Sequence, residues 1–97
     1  MKPAPLNEDE LLGLAAHLHG WKVSAQALEK TYLFESYLDG IEFVRRLAVA
    51  AEAMDHHPDL RVGWRKVTVT STTHSVGAVT RLDEALALKT EASLRQP

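Results

Sequence analysis

Three histidines stand where a chain of this kind could use them for chemistry: His56 and His57 side by side, and His74 further on. Imidazole titrates near neutrality, so one ring can donate a proton while another accepts one. Each histidine follows an expected regular element, and such loops on a rigid scaffold are common places for a site. Two loops could bring histidines to a flat ligand from different sides. A metal centre is the competing use. Zinc takes three or four converging ligands, and adjacent side chains diverge in helical or extended backbone. The sequence has no His-x-His or His-Glu-x-x-His spacing. General acid–base chemistry without a metal is the better match.

Other polar residues lie near these histidines in sequence. Glu52 is one helical turn before His56 and is expected to hold and polarise that ring. Ser71 and Ser75 flank His74, but they do not by themselves form a Ser-His-Asp arrangement. Asp83 could approach one, although a helix-capping position explains it more simply. No Gly-rich phosphate loop or nucleophile elbow is present. His17 and His19 fall in the last turn of an expected helix, where a cation suits the dipole.

These residues must be positioned by the elements around them. Residues 1–6 carry two prolines and read as an extended lead-in. Asn7 with Glu10 makes a capping-box pattern, opening a helix to His19 with Leu11, Leu14, Ala15 and Leu18 on one face. Gly20 then follows as the C′ residue. Trp21 to Val23 and Ala27 to Phe34 read as two strands joined at Ser24-Ala25-Gln26. Ser36 opens the longest periodic stretch, Tyr37 to Met54 or Asp55. One apolar stripe there is Ile41, Val44, Ala48 and Ala51; a second is Phe43, Leu47, Ala50 and Met54. Glu42 and Arg46 are spaced as an i,i+4 pair. Pro58 disfavours helical geometry at His57, so the helix should end by about His56.

Leu60 to Val62 is a short strand, Gly63 to Arg65 a turn, and Lys66 to Thr72 an alternating strand. Thr73 to Gly77 is a loop. Thr80 caps a last helix to about Leu94, with Asp83 at N3 and Leu82, Ala85, Leu86 and Leu88 expected inside. The order α-β-β-α-β-β-α predicts an α+β fold: a four-stranded antiparallel sheet with three helices packed on one face.

The bulk numbers narrow the partners. The chain has 97 residues, which predicts one domain over 1–97. A self-association interface would help a chain this small. Its 11 basic and 13 acidic residues give a net charge of −2 without like-charge blocks, so neither nucleic acid nor a membrane surface is expected as a partner. With no cysteine, disulfides and thiolate sites are excluded. No apolar run approaches the roughly 20 residues of a membrane span. A soluble cytoplasmic protein is expected.

The stretch Ala51-Glu52-Ala53-Met54-Asp55-His56-His57-Pro58-Asp59, followed by Lys66-Val67-Thr68-Val69 and Thr73-His74, resembles the pterin-4a-carbinolamine dehydratase family. Gly77, Thr80 and Asp83 match the loop and cap that open the family's last helix, and Gly20-Trp21 its first strand. The resemblance implies the same sheet and helices, and a homodimer or homotetramer using the long middle helix. It implies dehydration of a 4a-hydroxytetrahydropterin to the quinonoid dihydropterin, with no cofactor, which recycles the cofactor of aromatic amino acid hydroxylases. His56, His57 and His74 are then the catalytic histidines, with His56 and His74 handling protons and His57 positioning the ring. Candidate substrate contacts are Glu52, Asp55, Pro58, Thr72, Thr73, Ser75 and Asp83. Leu60, Ser75 and Arg81-Leu82 depart from the family pattern, and Ser75 bears on substrate preference. The alternative is a non-catalytic dimerisation or assembly module that meets a protein partner through the outer face of the 37–54 helix.

Overall fold

The computed structural model describes residues 2–95. Met1, the first residue of the expected lead-in, lies outside them. The elements are α1 (Glu8–His17), β1 (Lys22–Val23), β2 (Leu28–Leu33), α2 (Tyr37–Ala53), β3 (Asp59–Val62), β4 (Lys66–Ser71) and α3 (Arg81–Ala92). This is the α-β-β-α-β-β-α order expected. The strands form one antiparallel sheet in the order β1-β2-β4-β3. Strand β4 is therefore central, and its two neighbours fix it along its length. Leu28 pairs with Ser71 and Tyr32 with Val67 on one side of β4, while Leu60 pairs with Val69 on the other.

Paired residues share a sheet face. Leu28, Tyr32, Val67 and Val69 are buried on one face, and Leu14 and Leu18, Phe43 and Leu47, and Leu86 and Ala87 meet them from the three helices. The opposite face carries Glu29, Thr31, Thr68 and Thr70, tied in pairs by the Thr31–Thr68 bond at 2.8 Å and the Thr70–Glu29 bond at 2.9 Å. The first hairpin lacks Gly or Asn. Ser24 serves instead: its Oγ accepts from the backbone N–H groups of Gln26 and Ala27.

Two helix faces differ from expectation. On α2 the buried stripe is Gly40, Phe43, Leu47 and Ala51: Phe43 and Leu47 come from one expected stripe, Ala51 from the other and Gly40 from neither, with Ile41 and Ala48 exposed. On α3 the buried residues are Asp83, Leu86, Ala87 and Thr90; Leu82, Ala85 and Leu88 lie outside. A count of apolar residues misplaces this face because two polar residues occupy it. Both are satisfied internally: the Thr90 hydroxyl donates to Leu86 O at 2.8 Å, and Asp83 makes a network described below.

The end of α2 also differs. The helix stops at Ala53, before Pro58 can act. Asp55 has φ 50, in the left-handed region. Its N–H donates to Glu52 O at 3.2 Å, and His56 N–H donates to Ala51 O at 3.1 Å. This pair of bonds is a Schellman cap with Asp55 in the place glycine usually holds. Asp55 ends the helix, and His56 and His57 are the first residues delivered beyond it.

Candidate functional site

The two histidine-bearing segments meet in a cleft of about 270 Å³ lined by Asp55, His56, His57, Thr72, Thr73, His74, Ser75 and Leu82. The helix-end segment supplies one wall. The loop after β4 supplies the other. That loop is a tight turn: Thr73 N–H donates to Ala78 O at 3.1 Å, while Gly77 N–H returns to Thr73 O at 2.9 Å. Gly77 closes it with φ 63, a conformation that disfavours side chains. The Thr72 hydroxyl donates to Gln26 O at 2.6 Å, which anchors the loop to the first hairpin.

Beneath the cleft floor lies Asp83, fully buried. Its Oδ1 accepts from His56 Nε2 at 2.7 Å and from Ser71 Oγ at 2.6 Å. Its Oδ2 accepts from Thr73 Oγ1 at 2.8 Å and from Thr80 N–H at 2.9 Å. The last bond is the reciprocal half of the α3 capping box. Asp83 therefore caps a helix and braces a histidine with one carboxylate. The directions of the remaining bonds follow. Because Thr73 donates to Asp83, the 2.7 Å bond between the Thr73 and Thr80 hydroxyls must be donated by Thr80. A carboxylate oxygen only accepts, so the His56 proton in this pair sits on Nε2 and leaves Nδ1 available to the cleft.

His57, one residue on, is in a different setting. Its Nε2 lies 2.6 Å from Glu52 Oε1, and both side chains are exposed. Glu52 was expected to hold His56. It holds His57 instead, because the left-handed turn at Asp55 swings His56 inward toward α3 and leaves its neighbour beside α2. The third histidine, His74, is exposed, and no carboxylate pairs with it among the described residues.

The candidate contacts divide accordingly. Asp55, Thr72, Thr73 and Ser75 line the cleft beside His56, His57 and His74. Glu52 and Pro58 do not line it. Asp83 has no exposed surface and reaches the cleft through His56 and Thr73. Leu82 lines the cleft although it was expected inside the core. The Ser-His-Asp question also resolves in geometry: Asp83 joins Ser71 and His56, yet Ser71 donates to the carboxylate and not to the ring, so no nucleophile is activated. A larger recess of about 400 Å³ lies elsewhere, lined by Leu33, Phe34, Glu35, Asp39, Glu42, Arg46 and Leu94. It holds no histidine, and its Glu42 and Arg46 already pair at 3.5 Å, so of these two the smaller cleft is the better equipped for proton transfer.

Fold and cleft together define an α+β protein with histidines from two segments gathered on one open site over a buried carboxylate. The sequence matches the family described as pterin 4 alpha carbinolamine dehydratase over residues 4–93, and the chain belongs to that family. A Mycobacteroides abscessus protein, provisionally named a pterin-4-alpha-carbinolamine dehydratase, is 44% identical over 84 residues, covering 87% of this chain and 89% of its own. One from Thermosynechococcus vestitus with the same provisional name is 49% identical over 72 residues, 74% of this chain and 76% of its own. Among solved structures, a transcriptional coactivator/pterin dehydratase from Brucella melitensis superposes with TM-score 0.89 at 31% identity, covering 95% of this chain and all of that one. A pterin dehydratase-like protein identified as a RuBisCO assembly factor in the alpha-carboxysome superposes with TM-score 0.66 at 25% identity, covering 84% of this chain and 98% of its own. Among the described residues, no helix is long and apolar enough to cross a membrane.

Proposed function

We propose that this chain, acting as a single domain, dehydrates a 4a-hydroxytetrahydropterin to the quinonoid dihydropterin by histidine acid–base catalysis, recycling a tetrahydropterin cofactor. The observation that carries the reading is the convergence of His56, His57 and His74 on one cleft, with His56 braced from below by Asp83. Breaking the C4a–O bond requires a proton at the leaving hydroxyl, which departs as water. The ring nitrogens supply the electrons, and one of them gives up its proton. His56 suits the acceptor role, since its Nε2–H is committed to Asp83 and Nδ1 is free for the substrate. His74, exposed on the opposite wall, suits the donor role. His57 positions the ring, itself steadied by Glu52. Asp55, Thr72, Thr73 and Ser75 offer polar contacts around the pterin. The reading also places the protein in the cytoplasm as a homodimer or homotetramer.

A turnover assay with freshly generated 4a-hydroxytetrahydropterin tests this. We expect a rate above the spontaneous dehydration, falling at least about 100-fold in His56→Ala and His74→Ala. His57→Ala should raise KM more than it lowers kcat. No rate above background from the folded protein would overturn the enzymatic reading.

One observation favours a second role. The outer side of α2 leaves Leu38 and Val49 largely exposed, 73% and 62%, with Ile41 between them at 37%. These apolar residues, set on either side of the Glu42–Arg45 ion pair, suit self-association or a protein partner better than water. Substituting Leu38 and Val49 by Glu, followed by mass measurement in solution, tells whether a second copy covers it.

A further inference from the structure

The buried serine beneath the cleft has no part in the chemistry above. Ser71 is the last residue of β4, paired with Leu28 across the sheet and without exposed surface. Its Oγ donates at 2.6 Å to the same carboxylate oxygen, Asp83 Oδ1, that takes the His56 Nε2 proton at 2.7 Å. A carboxylate oxygen has two lone-pair sites, and both are then filled. The other oxygen, Oδ2, is held by Thr73 Oγ1 and Thr80 N–H, so the carboxylate cannot rotate to offer a fresh acceptor. His56 has one place to put its Nε2–H. Without the serine hydroxyl, Oδ1 would present an open lone pair beside the first, and the imidazole could tilt between the two.

Taking the acid–base reading of the cleft as its basis, we infer that Ser71 is a positioning residue for His56. Asp83 itself sets the Nε2–H tautomer; by filling one lone pair of Asp83 Oδ1, Ser71 confines that N–H to the other and so fixes the aim of the free Nδ1. The serine never meets substrate. Its effect passes through the carboxylate to the ring, in the way that groups behind a catalytic histidine set its orientation. This gives a reason for a hydroxyl at a core position whose β4 neighbours on the same face, Val67 and Val69, are apolar.

The test is Ser71→Ala, read by nitrogen-15 NMR of the His56 imidazole and by steady-state kinetics. In the native chain the ring should give a single Nε2–H tautomer with a slowly exchanging proton. In Ser71→Ala the ring should keep its Nε2–H tautomer, but the Nε2–H signal should broaden or shift and its proton exchange faster as the ring tilts between the two lone pairs, and kcat should fall about tenfold with KM within about twofold. A purely structural serine would lower the melting temperature while leaving both readouts alone. An unaltered His56 signal in a folded Ser71→Ala chain overturns the proposal, whatever happens to the rate. If that variant does not fold, Ser71→Cys fills the site with a somewhat larger group and supplies a weaker donor. A smaller broadening or shift of the Nε2–H signal there supports the proposal, and a native signal overturns it. The NMR readout needs no turnover, so a native chain without dehydratase activity removes the function while leaving the positioning role to be judged separately.

Discussion

His56 and His57 are neighbours in sequence and opposites in setting. Each ring faces a carboxylate through Nε2, at 2.7 Å and 2.6 Å. The His56 partner is a fully buried Asp83 with three further donors; the His57 partner is a Glu52 side chain that is 80% exposed. An ion pair in water is worth little, because screening and side-chain entropy offset most of the attraction. A buried pair is costly to break, because the surviving partners are left without water to replace what was lost. Two contacts of nearly equal length therefore do different work. One fixes a ring, and the other steadies a ring that solvent also reaches.

The sharpest way to break this comparison is Asp83→Ala. It strands His56, Ser71, Thr73 and the Thr80 N–H together, and we expect a loss of about 3–5 kcal/mol in denaturant unfolding, along with activity. A loss no larger than that of Glu52→Ala would end the distinction. Next comes the turn that separates the two rings. Asp55→Val puts a β-branched residue at φ 50 and should cost about 1–2 kcal/mol, whereas Asp55→Gly should hold stability while relaxing the aim of His56. The cleanest check is the pair of unfolding midpoints measured side by side.

A third carboxylate, of intermediate exposure, grades the series. Glu91, with a side chain 40% exposed, accepts from Tyr32 Oη and from Lys30 Nζ, the latter at 2.9 Å. The buried Trp21 N–H faces it without reaching full hydrogen-bond geometry. Partial burial pushes the Glu91 carboxyl up, but the Tyr32 and Lys30 hydrogen bonds and the Lys30 charge outweigh that and hold it below the ordinary 4.5. Burial chiefly, with Glu91 adding, pushes the Tyr32 phenol far above its usual range. A carboxyl lowered on folding contributes stability above its unfolded value and loses it as the pH falls through the folded one. Glu91→Gln should therefore flatten the decline in stability as the pH falls below the ordinary 4.5, an effect smaller than either variant above. Urea midpoints across that range give the answer. The smallest change should come from Glu52→Ala, within about 0.5 kcal/mol of the native chain. Its signature should instead be a shift in the NMR signals of His57 and not of His56.

The sequence by itself determined the element order, the sheet and the three histidines. Periodicity of two against 3.6, the Asn7 and Thr80 capping patterns, and the alternation from Lys66 to Ser71 are local signals that need no partner to be read. They position the cleft's walls because the loops that follow are short. What only the tertiary structure decided is which group serves which. Glu52 was assigned to His56 by helical spacing, but the left-handed Asp55 rotates that histidine away, and one dihedral angle leaves no clear mark in sequence when glycine is not used. Asp83 was legible as a cap because a cap is local. Its role beneath His56 was not, since 27 residues separate the pair and only the packing of α3 against the end of α2 joins them. The same packing hides Asp83 and Thr90 on a face where hydrophobicity points to Leu82 and Leu88. A buried polar residue is stable only if its partners are in place, and those partners are set by the fold rather than by the residues beside it in the chain.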